Sequence, residues 1–204
     1  MFISHKYKLI YLEVPRTGSR AVTKALTELD PDSVTVLKRK EKGQSAGYHH
    51  FGNPELDDDS FTVIAAKRNP YDRLWSFWKH RHRHGNPRLF HSINWQQYLD
   101  WAHDTSSVPE ITGANLDIPI AEMFDLKRVD FWLEFERLSE SWDDLAKEFN
   151  YPLPTLTVQN ASPDQGEYFA AYNKENAAKV AERFSEDFEF FNYSIDSWQK
   201  SFNR

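Results

Sequence analysis

The sequence predicts an α/β fold, with a mainly parallel sheet flanked by helices on both faces and one domain over residues 1–204. Three observations predict it. Two strand–turn–helix units begin at residues 9 and 61, and a third strand–helix pair begins at residue 129. The second strand is a continuous apolar run, as expected of a strand buried on both faces. Strands alternating with helices give a parallel sheet with helices on both sides, and ligands of such sheets sit at the carboxyl ends of the strands.

The first unit carries the strongest signal. Leu9, Ile10, Tyr11, Leu12 and Val14 form an apolar run, Pro15-Arg16-Thr17-Gly18-Ser19-Arg20 a tight loop, and Ala21, Val22, Ala25, Leu26 and Leu29 a stripe at helical spacing. A Gly and small hydroxyl residues ahead of a helix leave backbone N–H groups to point at an anion, and the helix dipole favours negative charge there. An ordinary βα turn containing a Gly has the same sequence pattern. The flanking Arg16 and Arg20 favour the anion site, since guanidinium groups clamp phosphate through charge-assisted hydrogen bonds. The G-x-x-x-x-G-K-[ST] spacing of nucleoside-triphosphate loops is absent, together with its Lys and its magnesium-binding hydroxyl. That points away from phosphoryl transfer from ATP.

Residues 34–37 predict a short strand and 38–43 a charged, solvated loop. Turn-rich sequence at 47–55 contains His49 and His50, which suit a surface or core role as well as a catalytic one. The strand at 61–67 runs into Arg68-Asn69-Pro70-Tyr71-Asp72-Arg73-Leu74-Trp75-Ser76, where Asn69 suits the N-cap, Pro70 the first helical position, and Leu74, Phe77 and Trp78 the buried stripe. Asn69 and Ser76, seven residues apart, fall nearly on one helix face, so Arg68 and Ser76 could grip one anion. A locally paired Arg and an exposed Ser would satisfy the same pattern.

The basic run at 79–84 places His80 and His84 at metal-compatible spacing, but no carboxylate or Cys joins them and cations are favoured at a helix C-terminus. It reads as a solvated face, with no metal site. Residues 94–103 read as helix and 105–117 as a loop of the kind that rims a substrate site. A third strand is expected at 129–135, then a helix with Trp142, Leu145, Ala146 and Phe149 on one stripe, ending near Asn150. Asn173 is expected to cap one last helix whose Ala177, Val180, Ala181, Phe184 and Phe188 share a face.

Composition bounds the partners. The formal net charge of −6 and a pI near 5.8 argue against bulk binding to nucleic acid or acidic membranes, so an anion must be held by a local basic pocket. Cys is absent, which excludes disulfides and thiolate metal sites. No leader pattern and no long apolar run are visible, so a soluble, cytoplasmic protein without a membrane span is expected.

Together the two loops resemble the nucleotide-binding motifs of sulfotransferases that use 3′-phosphoadenosine-5′-phosphosulfate (PAPS). The likeness is closest to the carbohydrate-type branch, whose loops read like P-K-T-G-G-T-S and R-N-P-Y-D-R-L-x-S. It extends to Val129-Asp130-Phe131, Phe135-Glu136-Arg137-Leu138 and Asp187-Phe188-Glu189-Phe190-Phe191-Asn192-Tyr193. The resemblance implies a P-loop-like three-layer fold, PAPS as donor and no metal, with a hydroxyl-bearing small molecule or glycan as acceptor. It puts Arg16, Thr17, Gly18, Ser19 and Arg20 around the 5′-phosphate and Arg68 with Ser76 at the 3′-phosphate. It makes Arg16 the neutraliser of the leaving phosphate and His50 the general base, within a pattern like H-x-x-x-x-E-L, with His49 the runner-up. An imidazole with its ordinary pKa near ~6.5 suits proton removal, and a guanidinium suits the departing oxygen. The chain departs from the pattern in three places: Arg16 replaces a Lys, Arg20-Ala21 replaces Thr-Ser, and no basic residue stands near Asn160 and Ser162. Two rival functions are a P-loop-type small-molecule kinase and a non-catalytic nucleotide-binding module.

Overall fold

A computed structural model describes residues 1–36, 54–84, 93–103, 118–157 and 168–199, which fall into two compact units. The first contains a five-stranded mixed sheet in the order β3-β1-β2-β4-β5. Its strands are β1 (Phe2–Ser4), β2 (Leu9–Leu12), β3 (Val34–Thr35), β4 (Thr62–Lys67) and β5 (Phe131–Glu134). The neighbours β2, β4 and β5 run parallel, with Leu12 opposite Ala65 and Lys67 opposite Glu134. The other half, β1 with β2 and with β3, is antiparallel. The expected parallel character therefore holds for the β2-β4-β5 half, and β1 is an addition that the sequence did not advertise. Three residues are too few to show a period, and its hairpin turns through Lys8 in the left-handed region at φ 50° instead of through a Gly.

Side chains alternate across a strand, so Leu9, Tyr11, Ile64, Ala66 and Leu133 share one face of the sheet. Two helices pack there, α1 (Ser19–Leu29) through Ala21, Val22, Ala25 and Leu26, and the helix Leu138–Glu148 through Trp142 and Leu145. Val63, Ile64, Ala65 and Ala66 are fully buried, as the apolar run of β4 requires. Each fully buried Val, Leu or Ile side chain of this core contributes ~1.5–3 kcal/mol. The parallel register of β4 and β5 is locked before β5 begins, because Asp130 N–H donates to the Val63 carbonyl and its carboxylate accepts from Val63 N–H, both at 2.7 Å.

The second unit is helical. In chain order it contains α2 (Pro70–His84), α3 (Trp95–His103), α5 (Tyr168–Ala171), α6 (Lys174–Arg183) and α7 (Ser185–Phe190), α4 being Leu138–Glu148 of the first unit. Its start follows expectation: the Asn69 side chain accepts from Tyr71 N–H at 3.0 Å, and Pro70 is the first helical residue. Tyr71, Leu74, Phe77, Tyr98, Leu99, Val180, Phe184 and Phe188 make the core. Asn173 caps α6 in a reciprocal capping box with Asn176. The single last helix expected from the stripe breaks at Phe184 (φ −107°, ψ 22°), which ends α6 and precedes α7. Both segments turn their apolar residues to the same core, so the stripe runs through the break and a periodicity argument cannot see it.

Asp187 is buried on α7 and accepts from Ile120 and Ala121 N–H at 2.8 and 2.9 Å. Burial pushes its carboxyl above the usual carboxylate range, while the charge of the equally buried Arg73 pulls it back. Among the described residues no helix is long and apolar enough to cross a membrane.

Candidate functional site

The loop between β2 and α1 ends in a four-residue turn, Pro15 to Gly18, with two residues in the left-handed region: Arg16 at φ 69° and Gly18 at φ 80°. For Gly the conformation is free of strain, but for an L-residue such as Arg16 it costs ~1–2 kcal/mol. Two hydrogen bonds hold the turn in that shape. The Thr17 hydroxyl, fully buried, donates to the Val14 carbonyl at 2.7 Å, and Nη1 of Arg68 donates to the Arg16 carbonyl at 2.7 Å. Thr17 therefore turns its side chain inward, and what it can offer an anion is its backbone N–H.

Gly18 is the N-cap of α1 and makes no side-chain capping bond, and the first turn of α1 contains no acidic side chain. The positive end of the helix is thus left without an internal carboxylate to neutralise it. Successive N–H groups in a turn of left-handed residues form an anion-binding concavity. Arg16 and Ser19 are half-buried and Arg20 is exposed. The residues present fit a phosphate group: a backbone nest, a helix N-terminus and guanidinium groups, with a Gly where a Cβ would come within 2.8 Å of Leu138 Cδ2.

Arg68 stands at the carboxyl end of β4, and its guanidinium lies over the Phe135 ring at 3.9 Å. Phe135 follows directly on β5, beside Arg68 by the register that sets Lys67 opposite Glu134. The same strand ends carry a charge cluster. Glu134 pairs with Lys67 at 3.2 Å and accepts from Arg137 Nε at 2.5 Å, and Arg137 also reaches Asp144 at 3.2 Å. Burial raises the Glu134 carboxyl, but the hydrogen bonds from Arg137 and Lys67 outweigh it and hold the group below its ordinary value.

Of the residues that the sequence singled out, Arg16, Thr17, Gly18, Ser19, Arg20 and Arg68 come together in the first unit. The sequence paired Arg68 with Ser76; the Arg68 guanidinium donates to the Arg16 carbonyl and lies over the Phe135 ring. Ser76 is buried on α2 in the second unit. His49 and His50 lie outside the described residues, as do Asn160 and Ser162. Phe135 had no assigned role in the sequence argument. The signal was present: the carboxyl-end rule, applied to the third strand as it was to the first two, leads straight to it.

A model of the sulfotransferase family matches residues 1–151. The chain belongs to the sulfotransferase family. Searches of curated proteins and of solved structures found no match. The matched stretch takes in the left-handed turn, Arg68 and Phe135, so the family assignment and the built loop coincide in the same strand ends. The family's chemistry is transfer of a sulfuryl group, and among the described residues no group of three or more His, Asp or Glu side chains is placed to hold a metal ion.

Two outcomes follow from this geometry. Gly18→Ala forces a Cβ into a left-handed position and displaces the Leu138 side chain, so denaturant melts should show a loss of ~1–2 kcal/mol. The Glu134 carboxyl, depressed in the folded chain from an ordinary value of 4.5, adds stability above that pH and loses it as pH falls through the folded value. Glu134→Gln should therefore be less stable than wild type at pH 7, and the gap between the two melts should close on acidification below pH 4.5.

Proposed function

We propose that this chain moves a sulfuryl group from PAPS to an acceptor hydroxyl, that it is of the carbohydrate-type branch with a P-loop-like fold, and that residues 1–204 act as one cytoplasmic domain. One observation carries this reading: a strained left-handed turn ahead of α1, held by Arg68, in a chain of the sulfotransferase family. Strain of this kind persists where the surroundings over-determine it, and it clusters at ligand clamps.

When bound, PAPS supplies the sulfuryl group, and its bisphosphate is the leaving product. The backbone N–H groups of Thr17, Gly18 and Ser19, with Arg16 and Arg20, hold the 5′-phosphate at the positive end of α1. Arg16 meets the negative charge that grows on the departing oxygen, a role that raises turnover more than it raises ground-state binding. Arg68, with Ser76 assigned by the motif, holds the 3′-phosphate. His50 removes the acceptor's hydroxyl proton as general base, with His49 the alternative. The acceptor is a hydroxyl-bearing small molecule or a glycan. Labelled donor incubated with an acceptor library, read by mass spectrometry, tests the activity, and the absence of label transfer to any hydroxyl would refute it.

The donor site is tested separately. Calorimetry should find adenosine 3′,5′-bisphosphate bound more tightly than AMP, and Arg68→Ala should remove most of that preference, on the order of 1.5–3 kcal/mol for a charge-assisted contact. Equal affinity for the two nucleotides in the wild type would sink a two-phosphate site.

The base has its own signature. His50→Ala should lower turnover by ~10²–10⁴ while leaving bisphosphate affinity and thermal stability nearly unchanged. Loss of turnover in His49→Ala alone would move the role by one residue, and full activity in both variants would assign the proton to another group.

A further inference from the structure

Three consecutive strand ends of the first unit meet around a single ring. Phe135, the residue after β5, presents its face to the Arg68 guanidinium at 3.9 Å, and Arg68 is the residue after β4. An edge of the same ring, Cδ2 and Cε2, lies 3.5 and 3.7 Å from the point where a Cβ on Gly18 would stand. Gly18 closes the turn that follows β2 and is its second left-handed residue. Arg68 in turn donates to the carbonyl of Arg16, the first left-handed residue. Phe135 thus lies against the residue that braces the strained Arg16 and borders the space that a side chain on Gly18, the other left-handed residue, would enter.

An arginine side chain has several rotatable bonds, and one hydrogen bond to a carbonyl leaves the tilt of its fork undetermined. A ring face beneath the guanidinium removes that freedom, since planar stacking and the ring quadrupole both favour a parallel approach. The strand register makes the contact repeatable, because Lys67 and Glu134 are opposite each other and Arg68 and Phe135 come next.

We propose that Phe135 is a positioning residue of the anion site, fixing the plane of the Arg68 guanidinium and through it the shape of the turn. The proposal deepens the donor-binding reading given above and rests on it for its ligand. Phe135 acts through Arg68 and is not itself a catalytic residue.

The test is a double-mutant cycle on the full chain. Phe135→Leu keeps an apolar side chain and loses the flat face; Phe135→Tyr keeps the face; Arg68→Ala removes the partner. Calorimetry with adenosine 3′,5′-bisphosphate should show roughly 2- to 30-fold weaker binding for Phe135→Leu, the range that ~0.5–2 kcal/mol of cation–π energy gives, and near wild-type binding for Phe135→Tyr. In the Arg68→Ala background Phe135→Leu should cost less than about 2-fold, because the group it positions is gone. The same cycle in urea melts of the ligand-free chain should give midpoint shifts smaller in the double variant than the sum of the singles. An equal loss of affinity from Phe135→Leu in both backgrounds, or additive midpoint shifts, would overturn the proposal. If wild type binds neither adenosine 3′,5′-bisphosphate nor AMP, the donor reading fails, and the ligand-free melts still decide whether Phe135 positions Arg68. Should Phe135→Leu not fold, Phe135→Met takes its place in both measurements.

Discussion

The hydrogen bond from Arg68 to the Arg16 carbonyl is the constraint on which the site depends. Arg16 sits where an L-residue loses ~1–2 kcal/mol, and a neutral hydrogen bond returns a net ~0.5–1.5 kcal/mol, so a neutral donor would on average fall short of the cost. A charged donor is worth more, roughly 1.5–3 kcal/mol, which is enough to hold the strained turn. The Thr17 hydroxyl ties the residue after Arg16 back to the Val14 carbonyl, and the turn is held at both ends. The brace is itself a cation, so the group that holds the loop also adds positive charge beside it.

That arrangement needs a parallel sheet. With β2, β4 and β5 running the same way, their carboxyl ends fall on one edge, and the residues leaving them become neighbours in space while distant in sequence. Register then decides which residues meet: pairing Lys67 with Glu134 makes a salt bridge at the last ladder position and hands the next position to Arg68 and Phe135. The Asp130 pair with Val63 fixes this register at the opposite end of the strands. The antiparallel strand β1 contributes no carboxyl end to that edge.

What was legible in the sequence is what repeats or what has a local rule. The stripe of α1, the buried run of β4 and the Asn69-Pro70 start of α2 each obey a spacing or capping preference that a single stretch can display. The Gly at position 18 was legible as a tight turn, and its left-handed φ is the reason. The left-handed Arg16 was not, because nothing in an Arg announces a positive φ; its cost is met by Arg68, fifty-two residues away. The break at Phe184 stayed hidden for the opposite reason, since the apolar pattern is set by the core and the core does not change across it. Long-range partners, such as Phe135 for Arg68, depend on strand order and register, which no local pattern encodes.

Charge makes the last step. The chain as a whole carries a formal −6, and a phosphate approaching it from solution meets a net repulsive field. Attraction must be built over a short range, where screening at about 8–10 Å keeps distant carboxylates from mattering. For the proposed site the β2–α1 edge offers Arg16, Arg20 and Arg68, a helix N-terminus whose first turn has no acidic residue, and Glu134 turned to Lys67 and Arg137. Pairing that carboxylate does more than stabilise the strand ends. An unpaired Glu134 at the end of β5, next to the residue that packs on Arg68, would put an uncompensated negative charge at the edge where the donor site is proposed, and its pairing with Lys67 and Arg137 offsets that charge.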